Sequence, residues 1–243
     1  PSVSSLRALG ALKATPGRLA LSGFGDPVLA GDEPAKDGAP RGSNRIFRGV
    51  ARGGQPLADV AALRLKPLPG TRTELATMAT ALGAPASALH LGAANTETAV
   101  KTSTDLAQAR VVIFATHGLL PHDLKDLEEP GLVFTPPSTA SAEDDGLLTA
   151  SEAARLSLSA DWVILSACNT ASADGTPGAE GLSSLSKAFL YAGAHALLAS
   201  HWQVSDDSTS VLTVQTLAIQ KANPTFSKAQ ALQAAMKAVR TGH

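Results

Sequence analysis

Two short apolar runs constrain this chain more than any other feature of it. Val111-Val112-Ile113-Phe114-Ala115-Thr116 and Trp162-Val163-Ile164-Leu165-Ser166 are bounded by polar residues and rich in β-branched side chains. Each is too short for a buried helix and reads as a buried strand. Strands apolar on both faces belong inside a parallel sheet whose two sides are covered by helices. The first run ends on His117-Gly118 and the second on Ala167-Cys168-Asn169-Thr170. Open α/β sheets place ligands outside the carboxyl ends of their strands. An imidazole and the only cysteine of the chain therefore stand at equivalent positions.

The flanking segments supply the alternation such a sheet requires. Leu19 to Pro27 reads as a strand followed by a loop. Thr71-x-x-Glu74 has the form of a capping box, opening a helix with Leu75, Met78, Ala79 and Leu82 on one face and Gly83 as its stop. Leu89-His90-Leu91 is a brief strand, and Asn95 or Thr96 caps the helix that follows. The capping pattern recurs at Thr149/Glu152 and Ser227/Gln230, while Leu182 to Ala192 forms a helix ended by Gly193. Ala196 to Ser200 is a third central strand, and Ser205 caps a helix running from Asp206 toward Lys221. Gly31 to Pro56 shows no periodicity, carries Lys36, Arg41, Arg45, Arg48 and Arg52, and reads as a long exposed loop. The expected fold class is α/β, a sandwich of a mostly parallel central sheet with helices on both faces.

The 243 residues fit one large α/β domain over 1–243, and the start at Pro1 suggests a piece of a longer protein. A net charge of −1 gives no reason to expect nucleic acid as a partner. No apolar stretch reaches the length of a membrane span, so no membrane partner is expected. The single cysteine excludes an intrachain disulfide and is compatible with a reducing cytoplasm, without fixing the compartment. The histidines lack ligand spacing and no glycine-rich phosphate loop is present, so neither metal nor other cofactor is expected.

A thiol and an imidazole at one sheet edge are the two parts of a cysteine nucleophile. Gly118 would let a substrate backbone approach, and the amides of Gly118 and Cys168 would offer two donors to a developing oxyanion. The plain alternative is a cysteine acting as a small buried hydrophobe beside a structural histidine. Asp161 lies at the wrong end of its strand to serve as a third member.

The chain resembles the CHAT domain family, caspase-like domains often attached to tetratricopeptide repeats and related to caspases and separase. The resemblance rests on Gly25-Asp26-Pro27, Leu68 to Glu74, Phe114-Ala115-Thr116-His117-Gly118, Asp145 to Ala150, Leu165 to Thr170, Glu180-Gly181-Leu182 and Trp202 to Asp206. His117 and Cys168 lie 51 residues apart, close to the interval between His and Cys in caspases. The resemblance implies a caspase-like fold and, where the domain is active, hydrolysis of a peptide or protein substrate by His117 and Cys168. It also implies a regulatory repeat domain or partner protein, which could order the small-residue loop at 171–180. Asp206 or Asp207, after Trp202, occupies the region where separase-like relatives meet a basic substrate side chain, so these three residues are substrate-binding candidates. In that case the Arg-rich 41–52 stretch becomes a candidate for self-cleavage. The alternative within the family is a non-catalytic scaffold or signalling module. Two features depart from its pattern: no final strand with a Trp-Ala-Pro-Phe-like run follows, and His201 stands where an apolar residue is usual.

Overall fold

The computed structural model describes residues 18–29, 47–50, 56–58, 60–63, 65–121, 127–166, 179–199 and 206–241, with 47–50, 56–58, 61–62, 179–183 and 206–210 described through the backbone alone. The chain runs through β1 (Leu19–Gly25), β2 (Phe47–Val50), β3 (Pro56–Ala58), α1 (Gly70–Leu82), β4 (Leu89–Leu91), α2 (Glu97–Thr102), β5 (Ala109–Ala115) and β6 (Gly118–Leu119). It continues through β7 (Gly131–Val133), β8 (Leu147–Thr149), α3 (Ala150–Ala153), β9 (Trp162–Leu165), α4 (Ala179–Tyr191), β10 (Leu197–Ala199), α5 (Asp206–Ala222) and α6 (Lys228–Thr241).

Five strands form the central sheet in the order β10-β9-β5-β1-β4, and every pairing in it is parallel. Alternation along the strands divides the core, because successive side chains of a strand point to opposite faces. Phe24, Val112, Phe114, Val163 and Leu165 pack on one side with Leu185 and Phe189 of α4. Leu21, Val111, Ile113, Trp162 and Ile164 pack on the other with Leu75 and Met78 of α1 and Leu217 of α5. The expected α/β sandwich is thus the observed one. From β1 the chain crosses to β4 at one edge, returns to β5 on the far side of β1, and then steps outward to β9 and β10. The strand order therefore reverses between β1 and β5, and the crevice beyond their carboxyl ends is the preferred site in such sheets.

Several helix boundaries match the sequence expectations. Thr96 caps α2, Thr149 and Glu152 form a complete capping box on α3, and Ser227 and Gln230 form one on α6. Gly83 ends α1 in the left-handed conformation. The capping box expected at Thr71 is not formed. Helix α1 begins two residues earlier, with Pro69 rather than Thr71 at the cap position; the Thr71 hydroxyl donates to the Leu68 carbonyl at 2.7 Å, and the Asp26 amide donates to that hydroxyl at 2.8 Å. Glu74 turns inward and accepts from the Ser166 hydroxyl at 2.7 Å. A tertiary partner for each side chain displaced the local pairing that the spacing suggested.

The Gly31–Pro56 stretch, expected as loop throughout, contributes β2 and the first residue of β3 to an antiparallel pair. Strands this short leave no period to detect. A second small sheet, β6-β7-β8, is also antiparallel, and its Leu119, Val133 and Leu147 cluster with Val60 and Leu127. Glu97, buried on α2, accepts from the Asp145 and Gly146 amides at 2.8 and 2.9 Å and pairs with Lys101. Lys101 also reaches Glu152 of α3 at 2.7 Å, so α2 holds the chain on both sides of β8.

Candidate active site

His117 follows the carboxyl end of β5, and its neighbours fix its backbone on both sides. The Thr116 hydroxyl donates to the Val133 carbonyl, and the Val133 amide donates to the His117 carbonyl at 2.9 Å. The ring is half-buried, and Nε2 lies 2.8 Å from the Lys66 carbonyl oxygen. A carbonyl only accepts, so Nε2 carries the proton of the neutral ring and Nδ1 holds the lone pair. The main chain thus supplies the orienting partner that no side chain in the sequence offered.

Gly118 pairs with Leu132 across β6 and β7. Because the bond to His117 comes from Val133, Gly118 and Leu132 form a non-hydrogen-bonded pair and the Gly118 amide turns away from β7. That leaves this amide outside the ladder, as an oxyanion donor must be.

Strands β5 and β9 run in a constant register, Val111 against Trp162 and Phe114 against Leu165. The offset is 51 residues, the same as the separation of His117 and Cys168. Each candidate therefore stands three residues beyond the last paired position of its strand. The Ser166 amide continues the pairing by donating to the Phe114 carbonyl at 2.9 Å, and the Ser166 hydroxyl ends on Glu74. Glu74 is only 6 % exposed. The sequence reading missed this contact because Glu74 looked fully explained as a partner of Thr71.

Cys168, Trp202 and His201 lie outside the described residues, as do the Ser205 cap and residues 171–178 of the expected 171–180 loop, whose last two residues instead belong to α4. Asp206 and Asp207 open α5, with their side chains outside the description. Among the sequence-derived candidates, the described geometry brings together His117 and Gly118. Asp161, as expected, sits at the opposite end of β9, where it pairs with Arg18 and Arg110. Among the described residues no group of three or more His, Cys, Asp or Glu could hold a metal ion. None of the described helices is long and apolar enough to cross a membrane.

The parallel sheet and its helix-covered faces agree with the family whose model matches the chain, described as the CHAT domain, over residues 1–243. The chain belongs to the CHAT domain family. The CHAT domain is caspase-like, and the peptidase-related character of that family applies to this chain as a family property. No curated protein matches this CHAT domain.

Proposed function

We propose that this CHAT domain is a cysteine endopeptidase in which Cys168 is the nucleophile and His117 the general acid and base. The observation that carries the reading is the bond between His117 Nε2 and the Lys66 carbonyl, which leaves Nδ1 as the basic nitrogen at the carboxyl edge of the sheet. The shared offset of 51 residues supports pairing that nitrogen with Cys168.

Cys168 Sγ attacks the scissile carbonyl carbon while its proton passes to His117 Nδ1. The carbonyl oxygen becomes an oxyanion facing the amides of Gly118 and Cys168. His117 then gives the proton to the leaving amine as the C–N bond breaks, and a thioester remains. Water attacks the thioester, His117 takes the water proton, and its return to sulfur frees the carboxylate product and the thiol. Asp206 or Asp207 meets a basic P1 side chain, with Trp202 beside it. Both acids also sit in the first turn of α5, where the helix dipole alone favours them.

The test is cleavage of a peptide library by the wild type and by Cys168→Ala. Cleavage after Arg or Lys that disappears in the variant supports the reading, and Asp206→Asn with Asp207→Asn then lowers cleavage after basic residues only. Equal cleavage by both proteins, or none by the wild type under any activating condition, overturns it and leaves a caspase-like scaffold. Sequencing new termini in the incubated wild type shows whether the 41–52 stretch is cut by the domain itself.

A further inference from the structure

At the end of the sheet opposite His117, the two strands leading toward the candidate residues begin beside an open cavity of about 710 Å³. Its walls come from the first residues of β5 and β9 and from the corner between α5 and α6. Trp162 and Leu217 form an apolar floor, and Phe226 stands 38 % exposed among the lining residues. This size lies in the range of ligand sites, and apolar lining with a few placed polar groups is their usual composition.

The charge around the cavity is one-sided. Arg110, Lys221 and Lys228 face the single carboxylate of Asp161, which Arg110 at 2.9 Å and Arg18 at 3.4 Å already engage. Each cation is oriented by a different neighbour. Arg110 leans on Asp161, Lys221 donates to the Ala81 carbonyl at 3.1 Å, and Lys228 lies 5.7 Å from the centre of the Trp162 ring. They line a groove from separate elements, an arrangement suited to several carboxylates along a chain.

Gln220 also lines the cavity. Its Nε2 donates to the Phe226 carbonyl at 2.8 Å and fixes the α5–α6 corner, while its Oε1 is buried with no partner among the described residues. An apolar floor beside spaced cations fits a chain that carries apolar and acidic side chains together, a combination a simple anion lacks. Residues 1–17 contain no Asp or Glu, so the first segment of this chain lacks the matching charge.

We propose that this cavity is a docking groove for an acidic peptide segment of a partner protein. An apolar side chain of that segment lies against Phe226 and Trp162, and flanking carboxylates meet Lys221 and Lys228. The groove is separate from the candidate active site, and nothing in the proposal depends on catalysis.

The experiment is fluorescence anisotropy of the full chain with a labelled short peptide of glutamates around a central Phe-Leu pair. The controls are the same peptide with Gln for Glu, and free glutarate as competitor. The expected result is binding of the Glu peptide that weakens about tenfold or more in Lys221→Glu/Lys228→Glu. The Gln peptide then binds the wild type more weakly, and excess glutarate leaves the Glu peptide bound. Unchanged binding in the double variant, or no binding of the Glu peptide even at low salt, overturns the proposal. Full displacement by glutarate also overturns it, since that assigns the groove to small anions. Unfolding midpoints confirm that the variant is folded, and Lys221→Gln/Lys228→Gln provides a milder pair with the same expected direction.

Discussion

Ser166 directly precedes Ala167 and Cys168, and its hydroxyl ends on a carboxylate from a different layer of the fold. Glu74 is buried, so truncating it would leave the Ser166 hydroxyl without its acceptor. Glu74→Ala is expected to lower the unfolding free energy by about 1–3 kcal/mol. Glu74→Gln keeps a carbonyl acceptor at the same reach and should cost clearly less; urea denaturation of the two variants checks the order. If peptide cleavage is established, Glu74→Ala should also reduce it more than Glu74→Gln, because β9 leads directly to Cys168. His117 illustrates the opposite case at the same scale. Its orienting partner is the carbonyl of Lys66, a group every residue possesses, so no residue type could have marked it.

At the scale of elements, the segment from Asp144 to β8 is held to α2 by hydrogen bonds to carboxylates, beside the packing of Leu148 in one cluster with Val100. Asp144 accepts from the Thr98 amide and hydroxyl at 3.1 and 2.7 Å, and Glu97 accepts from the next two amides. Burial pushes Glu97 up to about 8, while its hydrogen bond with Lys101 pulls the other way. Burial alone would lower Lys101, but hydrogen bonds to Glu152 and Glu97 leave it above its ordinary value. Glu97→Ala takes the Glu97 acceptor from the Asp145 amide, leaves the Gly146 amide with Asp144 Oδ1 at 3.2 Å, and removes one acceptor from Lys101. The expected loss is about 2–4 kcal/mol, seen as a lower denaturation midpoint with faster exchange of the amides at 145 and 146.

At the scale of the whole molecule, two half-buried histidines have their protonated forms disfavoured by folding. Burial lowers His90, with Asp105 offsetting part of the effect, and the ring stacks on Phe24 at 4.5 Å with Nε2 buried and without a hydrogen-bond partner among the described residues. Burial also lowers His195, despite Asp161 at 3.7 Å. A histidine with a depressed folded value binds its proton more readily in the unfolded chain. Its contribution is therefore largest near and above the ordinary value of 6.5 and is lost as pH falls below it. Glu97 has the opposite slope, its contribution fading as pH rises from 4.5 toward about 8. A comparison of variants isolates one part of this sum. His90→Phe keeps the aromatic stack and removes the titration, so its stability relative to wild type should rise as pH drops from 7.5 to 5.5. Denaturant unfolding at several pH values checks this, and a constant difference would exclude His90 as a source of acid sensitivity. The periodicity of Val111–Thr116 and Trp162–Ser166, together with local capping at Thr149 and Ser227, determined the α/β class and most helix limits. Those signals are local, and the tertiary structure left them intact. The reversal of strand order at β1 and β5, the Lys66 carbonyl on His117, and the transfer of Glu74 from Thr71 to Ser166 were decided only in three dimensions. Each depends on which distant segment arrives beside a residue, and that follows from how the sheet and its helices pack together.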